Sequence, residues 1–282
     1  MKKCMIFAAG LGTRLKPLTD RFPKALVSVG GRPLLQHLLG KLQDNGFTDI
    51  VINVHHFADM IEQWCAEYTE ALNSKGEASM PSIHFSDERA QLLETGGGIR
   101  HAAPLLADAA EGRFLIHNVD ILSNVDLQAF WQAGEGSEAT LLVSERETQR
   151  YLIFDASMRL VGWTNIKTGE VKSPFPAVHE AFSPDYVAPV NAPLMQTSPW
   201  PYIPSEHEYR LLAFAGIHQM HTSLLPLMQG YPDKFSIVDF YLQHCHDHVI
   251  RGYVQPGLRL MDVGKIETLD QASAFANSLN SH

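Results

Sequence analysis

The chain has 282 residues, of which 45% are hydrophobic and 19% are charged, a composition typical of a soluble globular protein. Its formal net charge is −9 and no basic run occurs, which argues against general nucleic-acid binding. No apolar run is long enough to span a bilayer, and the three cysteines, Cys4, Cys65 and Cys245, lack metal-ligand or disulfide spacing. We therefore expect a single cytoplasmic domain over residues 1–282, without membrane or nucleic-acid partners.

The first third of the chain alternates between strand and helix patterns. Strands are predicted at residues 5–9, 50–54 and 83–85, and helices at residues 34–42 and 57–72. Such alternation predicts right-handed crossovers and a mainly parallel sheet. A glycine-rich turn at residues 94–98 is expected to precede a short helix that ends at Ala103.

The rest of the chain is less regular. The pattern predicts these further elements: strands at 114–118 and 139–143, a helix at 125–133, an antiparallel hairpin of 151–154 with 160–163, a strand at 211–218, helices at 223–228 and 236–251, a strand at 258–264 and a last helix from Glu267. Residues 173–208 are rich in proline and show no period, which leaves open a functional flap, an oligomer contact or disorder.

The first strand runs into a loop that contains Gly10 and Gly12 and carries Arg14, with Lys24 ten residues further on. Glycines leave backbone amides accessible, and two cations add charge-assisted hydrogen bonds to phosphate oxygens. We therefore predict a nucleotide or polyphosphate site at residues 8–24. The loop lacks the third glycine of the dinucleotide fingerprint and the lysine placement of a Walker A motif. From composition alone, a structural turn with solvated cations is equally consistent.

Three further motifs each allow two interpretations. The glycines of 94–98 either let backbone approach a flat ligand or form a simple turn before a helix. Asp120 and Asp262 each follow or end an apolar strand, so they either converge on one Mg²⁺ or cap their strands. His244 and His248 lie one helical turn apart, but no third ligand of known spacing accompanies them, which favours a solvated helix end over zinc.

Residues 6–35 resemble the signature of the sugar-phosphate nucleotidylyltransferases. The matching strings are Ala9-Gly10-Leu11-Gly12-Thr13-Arg14-Leu15-Lys16-Pro17-Leu18-Thr19, then Pro23-Lys24-Ala25-Leu26 and Gly31-Arg32-Pro33-Leu34. The string Leu93-Glu94-Thr95-Gly96-Gly97-Gly98-Ile99 resembles the N-acetylmuramate-1-phosphate uridylyltransferase branch, which favours UTP, with GTP next as in the mannose-1-phosphate guanylyltransferase-like proteins.

The resemblance implies a fold, a reaction and a set of roles. The expected fold is a three-layer, Rossmann-like α/β fold with a mainly parallel central sheet and a small antiparallel or irregular lobe. The expected reaction joins an NTP to a sugar 1-phosphate with Mg²⁺ as cofactor, and assembly as a homodimer is left open. The implied roles are catalysis by Arg14, Lys24 and Asp120; nucleotide binding by Ala8, Ala9, Gly10, Leu11, Gly12, Thr13, Arg14, Lys24, Asn53, Glu94, Thr95, Gly96 and Gly97; sugar-phosphate binding by Asn118, Gly216 and Ile217; and metal binding by Asp120 and Asp262.

Some positions depart from the family pattern. Val119 precedes Asp120 where relatives commonly have glycine, and Lys265 follows Gly264 where the branch usually has threonine. The acidic sugar contact expected around residues 150–154 is missing, because the chain has Arg150-Tyr151-Leu152-Ile153-Phe154 there. The acceptor sugar is therefore left open. Two other classes also stay open, a non-catalytic paralogue that senses nucleotide sugars and a glycosyltransferase of the GT-A type.

Overall fold

The computed structural model describes residues 2–74, 76, 81–182 and 209–279. The strands of this part of the chain are β1 (Lys2–Phe7), β2 (Ser28–Val29), β3 (Arg32–Pro33), β4 (Phe47–Val54), β5 (Ser82–Asp87), β6 (Arg113–Asn118), β7 (Ile121–Ser123), β8 (Ala139–Ser144), β9 (Arg150–Phe154), β10 (Leu160–Asn165), β11 (Glu170–Lys172), β12 (Arg210–His221), β13 (Ile250–Val254) and β14 (Leu260–Asp262). The α-helices are α1 (Leu34–Asp44), α2 (Ala58–Ser74), α3 (Glu94–Leu106), α4 (Leu127–Gln132), α5 (Pro176–Ala181), α6 (Ile237–His244) and α7 (Leu269–Leu279).

A ten-stranded sheet forms the centre of the molecule, and its first half is parallel. β5, β4, β1 and β6 lie side by side in that order, each parallel to its neighbours. Ile6 of β1 sits opposite both Ile52 of β4 and His117 of β6. The carboxyl ends of these strands therefore meet at one edge, which is where open α/β sheets bind ligands.

The second half of the sheet is mostly antiparallel. β12 runs antiparallel to β6, and β9, β10 and β11 follow it in that order, each antiparallel to its neighbour. β8 also pairs antiparallel with β12, and β13 pairs parallel with β8. A register shift between Phe214 and His218 of β12 marks a bulge beside Gly216, whose φ is +74°.

Two hydrophobic clusters cover the two faces of the sheet. Residues of α1, α2, α4 and α7 pack with one face, around Leu38, Ile61 and Phe130. Residues of α3 and α6 pack with the other face, around Ile99 and Phe240. The predicted three-layer α/β fold with a parallel sheet and an antiparallel lobe is therefore confirmed.

Two predicted elements were wrong in extent. Residues 94–98 form the first turns of α3 and not a turn that precedes a helix, because Gly96 and Gly97 allow this helix to pack closely on residues 233–235. The helix predicted at 236–251 ends at His244, and Ile250–Val254 instead form β13, whose backbone pairs with β8. Tertiary pairing here overrides the local helical pattern.

Part of the proline-rich stretch can be placed. Its first ten residues, 173–182, are described and contain α5, whereas the prediction for residues 183–208 falls outside the described residues. Among the helices that the structure describes, none is both long and apolar enough to cross a bilayer.

Candidate active site

A cleft of about 350 Å³ opens at the carboxyl edge of β1, β4 and β6. Its wall is assembled from separate stretches of chain: residues 7–10 and 12–14 of the glycine loop, Lys24, Asn53, residues 88–95 in part, residues 118–120 and Gly264. Most of the residues predicted to bind nucleotide or to catalyse the reaction therefore come together in one place.

The start of the glycine loop is held by a buried network. The amides of Ala8 and Ala9 donate to Oδ1 of Asn53 at 2.7 and 3.2 Å. Asn53 Nδ2 donates in turn to Oε1 of Glu88 at 2.7 Å, and the amide of Leu93 donates to the other carboxylate oxygen of Glu88 at 3.1 Å. Asn53 and Glu88 are only 3% and 2% exposed. Asn53 thus positions the loop and accepts hydrogen bonds from two of its amides. Within the residues that the structure describes, the amides of residues 10–13 donate no such backbone hydrogen bond, so they can bind a ligand.

The sequence interpretation missed Glu88. An acidic residue directly after β5 is ordinary at a strand end, and only the folded structure shows that its carboxylate is buried between β4 and the start of α3. Burial of a carboxylate is costly unless its oxygens are hydrogen-bonded, and here both oxygens accept hydrogen bonds.

Gly12 lets the glycine loop pack closely against Thr19 and Lys24, which lie later in the same motif. Its φ is +61°, and a Cβ at this position would lie 2.8 Å from Cγ2 of Thr19 and 3.2 Å from Cβ of Lys24. The hydroxyl of Thr19 donates to the carbonyl of Gly12 at 2.8 Å. The glycine is therefore required both by its backbone conformation and by its neighbours, while Leu11, Thr13 and Arg14 stay exposed around it.

A small separate sheet brings the two aspartates together. β14 pairs antiparallel with β7, which places Asp262 opposite Ile121, and the amide of Val263 donates to the carbonyl of Asp120 at 2.9 Å. Lys24 Nζ forms a hydrogen-bonded ion pair with the Asp120 carboxylate. Lys24 and Asp120, which were predicted from separate motifs, thus line the cleft together, and Asp262 lies beside them next to Gly264.

Burial and the neighbouring charged groups shift the pKa of Asp262. Desolvation and the nearby charge of Asp120 raise the pKa of Asp262, while Lys24, Arg14 and Arg146 act in the opposite direction. A Cβ at Gly264 would lie 2.9 Å from both Arg14 Nη2 and Asp262 Oδ1. Gly264 is therefore needed to let the Arg14 guanidinium approach the Asp262 carboxylate.

The two carboxylates suit Mg²⁺ better than zinc. Magnesium in enzymes of phosphate chemistry is held by one or two carboxylates, and substrate phosphates and water complete its shell. Asp120 and Asp262 fit that description. The structure, over the residues it describes, contains no group of three or more His, Cys, Asp and Glu arranged to hold a metal. At the helix end predicted to be solvated, His248 pairs with Glu138 at 2.7 Å.

The glycine string of α3 is only partly in the cleft. Glu94 and Thr95 line it, whereas Gly96 and Gly97 are buried behind them. A Cβ on Gly96 would lie 2.3 Å from the ring of Phe235, and one on Gly97 would lie 2.2 Å from the carbonyl oxygen of Asp233. Close packing thus accounts for these two glycines. The structure does not place them at the cleft surface.

The residues predicted to bind the sugar phosphate separate in a similar way. Asn118 lines the cleft, but Ile217 is fully buried in the core and Gly216 is also buried. A Cβ at Gly216 would lie 2.6 Å from Nδ2 of Asn118. Gly216 therefore makes room for the Asn118 side chain without reaching the cleft itself.

Known proteins resemble both the sequence and the fold. A protein named N-acetylmuramate alpha-1-phosphate uridylyltransferase, from Caulobacter vibrioides, is 48% identical over 119 residues, which are 42% of this chain and 46% of that relative. A mannose-1-phosphate guanyltransferase from Gibberella zeae is 34% identical over 148 residues, covering 51% of this chain and 38% of the relative. The matched stretches thus span about half or less of these relatives.

Similarity in structure extends further than similarity in sequence. A solved UDP-glucose pyrophosphorylase from Acinetobacter baumannii superposes with a TM-score of 0.69 at 17% identity, covering 97% of this chain and 92% of that chain. At that identity the likeness concerns the fold. The family model described as nucleotidyl transferase matches residues 3–151, more than half of the 282 residues. The chain belongs to the nucleotidyl transferase family.

Proposed function

We propose that the chain is a sugar-1-phosphate nucleotidylyltransferase, which converts an NTP and a sugar 1-phosphate into an NDP-sugar and pyrophosphate. The observation that carries this proposal is the convergence of Arg14, Lys24, Asp120 and Asp262 around the glycine loop. Two cations beside exposed amides suit a polyphosphate, and two carboxylates suit its metal ion. The proteins that are similar in sequence are named as a uridylyltransferase and a guanyltransferase, which supports the same reaction class.

The reaction is an in-line displacement at the α-phosphorus. An oxygen of the sugar 1-phosphate forms the new bond to this phosphorus, and the bond to the oxygen that bridges the α- and β-phosphates breaks. Pyrophosphate leaves with the electron pair. The attacking phosphate is already largely ionised at neutral pH, so the reaction needs positioning and charge neutralisation more than a general base.

The residues of the cleft divide this work among them. The amides of residues 10–13 and Arg14 would bind the β- and γ-phosphates and stabilise the departing pyrophosphate. Lys24 would exchange its bond to Asp120 for a bond to the α-phosphate, where negative charge is distributed during transfer. Asp120 and Asp262 would hold Mg²⁺, which when bound supplies charge neutralisation for the phosphates.

We infer that UTP is the favoured nucleotide, with GTP second. The support is the string from Leu93 to Ile99 and the uridylyltransferase and guanyltransferase names of the relatives. Glu94 and Thr95 would contact the nucleoside; the support is that both line the cleft and that the Thr95 hydroxyl accepts a hydrogen bond from the amide of Ile237 at 2.9 Å.

Pyrophosphate release tests the proposal. UTP, GTP, CTP and dTTP are each mixed with Mg²⁺ and with N-acetylmuramate, N-acetylglucosamine, mannose or glucose 1-phosphate. We expect release only when both substrates are present, and fastest with UTP. No release from any pair would overturn the proposal in favour of a sensing protein, and sugar transfer from an NDP-sugar to another acceptor would favour a glycosyltransferase.

A further inference from the structure

The buried network beside the cleft has a fixed order of donors and acceptors. Backbone amides form both of its ends, those of Ala8 and Ala9 at one end and that of Leu93 at the other. The side chains of Asn53 and Glu88 lie between them and are hydrogen-bonded to each other. Because a backbone amide can only donate, the two side chains must together accept hydrogen bonds at both ends.

This requirement determines which side chain fits at position 88. Asn53 turns Oδ1 toward the loop amides, so its Nδ2 points at Glu88 as a donor. Glu88 therefore meets a donor on each side, Nδ2 of Asn53 at 2.7 Å and the amide of Leu93 at 3.1 Å. An ionised carboxylate only accepts, whereas a carboxamide would place its own NH₂ group against one of these donors. Among the residues that the structure describes, Glu88 forms no ion pair, so its hydrogen bonds account for the carboxylate.

The network joins two parts of the cleft that serve one nucleotide. Ala8 and Ala9 begin the glycine loop, which binds the triphosphate in the proposed function. Leu93 directly precedes α3, whose first residues, Glu94 and Thr95, line the cleft where the nucleoside would lie. A displacement within the network would therefore change the spacing between the phosphate-binding part and the nucleoside-binding part.

Packing around the network leaves little room for such a displacement. Asn53 and Glu88 are almost fully buried, and a Cβ at Gly98 of α3 would lie 2.9 Å from Oε1 of Glu88. The hydrogen bond from Leu93 also holds the backbone directly before Glu94, whose φ of +61° is unusual for a residue other than glycine. Strained residues at ligand sites persist when their surroundings hold them in place, and Glu88 supplies part of that support.

We propose that Glu88 is a positioning residue, which fixes the start of α3 relative to the glycine loop so that one NTP contacts both. This inference rests on the proposed function. A ligand that contacts both parts gains affinity from their fixed spacing, because the second contact then costs little additional ordering. A ligand that contacts the loop alone, such as inorganic pyrophosphate, does not depend on that spacing.

Glu88→Gln tests the proposal with a side chain of the same shape. The introduced NH₂ group meets a donor, either Nδ2 of Asn53 or the amide of Leu93, so the network must open on one side. Titration calorimetry with Mg²⁺ and without acceptor measures the dissociation constants of UTP and of inorganic pyrophosphate. We expect the constant for UTP to rise about tenfold or more, and the constant for pyrophosphate to change by less than about twofold.

A reciprocal exchange distinguishes the hydrogen-bond pattern from the individual residues. In the double variant Asn53→Asp/Glu88→Gln, the introduced aspartate accepts from the loop amides and from the introduced glutamine, whose oxygen accepts from the amide of Leu93. Asn53→Asp alone sets two carboxylates against each other and should also weaken UTP binding. The double variant should bind UTP within about twofold of the unmodified protein.

Glu67→Gln is the matched control, because it makes the same chemical change on the exposed side of α2, away from the cleft. Its dissociation constants should equal those of the unmodified protein. Urea unfolding of every variant reports whether the fold is retained. If Glu88→Gln does not fold, the double variant still tests the proposal, because it keeps every hydrogen bond of the network.

Three results would show that the inference is wrong. Glu88→Gln could bind UTP normally, it could lose affinity for pyrophosphate as much as for UTP, or the double variant could recover stability without recovering UTP affinity. The last result would leave Glu88 a purely structural role. The proposed function fails separately, if the unmodified protein releases no pyrophosphate from any combination of NTP and sugar 1-phosphate.

Discussion

The two halves of the site are built in different ways. The nucleotide half, which comprises the glycine loop with Lys24, Asn53, Glu88 and the start of α3, rests on buried polar groups that satisfy one another. The other half is a cavity of about 590 Å³ between β9, β10, β11, β12 and the start of α6, which we propose receives the acceptor and which we call the acceptor half. Its charged side chains are exposed. A rigid half suits a triphosphate that is the same in every NTP, whereas a loosely held half permits different acceptors.

The halves also differ in how the chain supplies them. Most of the nucleotide half comes from the first 95 residues and from the ends of adjacent parallel strands. The acceptor half combines β9, β10 and β11 with β12 and α6, which are far apart in sequence. The family model matches residues 3–151 and so ends where the acceptor half begins. The following predictions test whether the two halves really have separate duties.

Lys24→Ala should have the largest effect. Loss of the ammonium group removes positive charge from the transferred phosphate, so kcat should fall by about 10²–10³ or more with every acceptor. Pyrophosphate release under saturating substrates measures this. Lys16→Ala is the matched control, since Lys16 pairs with Asp20 on the exposed side of the same motif and should retain activity. A Lys24→Ala variant with near-normal turnover would remove the central assignment of the nucleotide half.

Gly264→Ala should have the next largest effect. The added methyl would lie 2.9 Å from Arg14 Nη2 and Asp262 Oδ1, so one of these groups must move. We expect kcat/KM for the NTP to fall by about tenfold to a hundredfold, because a small displacement of catalytic groups is costly. Gly40→Ala is a suitable control, since a Cβ there meets nothing within 4 Å and α1 should gain stability by about 0.5–1 kcal/mol. Unchanged kinetics in Gly264→Ala would mean that Arg14 and Asp262 need not approach each other.

Asn53→Ala should lower the stability of the protein, because the nucleotide half depends on buried hydrogen bonds. The substitution leaves the amides of Ala8 and Ala9 and one oxygen of Glu88 without partners in a buried place, so the free energy of unfolding should fall by at least about 2 kcal/mol. In the acceptor half, Asn165 accepts one hydrogen bond from the exposed amide of Lys167. Asn165→Ala should therefore cost less than about 1 kcal/mol. Urea unfolding compares the two, and equal losses would contradict the contrast between the halves.

The nucleotide half was also the part that could be predicted from the sequence. Strand ends and glycines predicted the cleft, and the structure brings together Asp120 and Asp262, a pair that the sequence suggested only through the resemblance to a family. The resemblance to a family supplied their roles, which remain predictions. Glu88 and Arg146 carried no local signal, since an acid after a strand and an arginine in a loop are ordinary surface residues.

Long-range packing explains where prediction failed. Gly96 and Gly97 are glycines because of Phe235 and Asp233, which lie far away in sequence, so nothing near the string distinguishes packing from ligand contact. Residues 250–254 continue the apolar pattern of α6. They form a strand because their backbone pairs with β8, which lies far away in sequence. β7 has three residues and becomes recognisable only through its partner β14.

The last prediction concerns the seam between the halves, where β6 of the nucleotide half pairs with β12 of the acceptor half. His117 of β6 and His218 of β12 are buried there, and burial lowers the pKa of each to about 3. An unfolded histidine has a pKa of about 6.5, so below that pH the unfolded chain binds protons that the folded chain does not. Stability should therefore decrease as pH falls from about 6.5 toward 3, by about 1.4 kcal/mol per pH unit for each histidine.

Urea unfolding between pH 6 and pH 5 isolates this effect, because carboxylates with lowered pKa values, such as Glu138, contribute mainly at lower pH. His117→Leu removes the contribution of His117 but leaves those of His218 and of His244, whose pKa burial also lowers, so the dependence of the unfolding free energy on pH in this interval should fall by about 1 kcal/mol per pH unit. His56→Gln, which removes an exposed histidine, should leave the dependence unchanged. If His117→Leu also left it unchanged, His117 would already be protonated or solvated in the folded chain, and the seam would be open to water where the structure closes it.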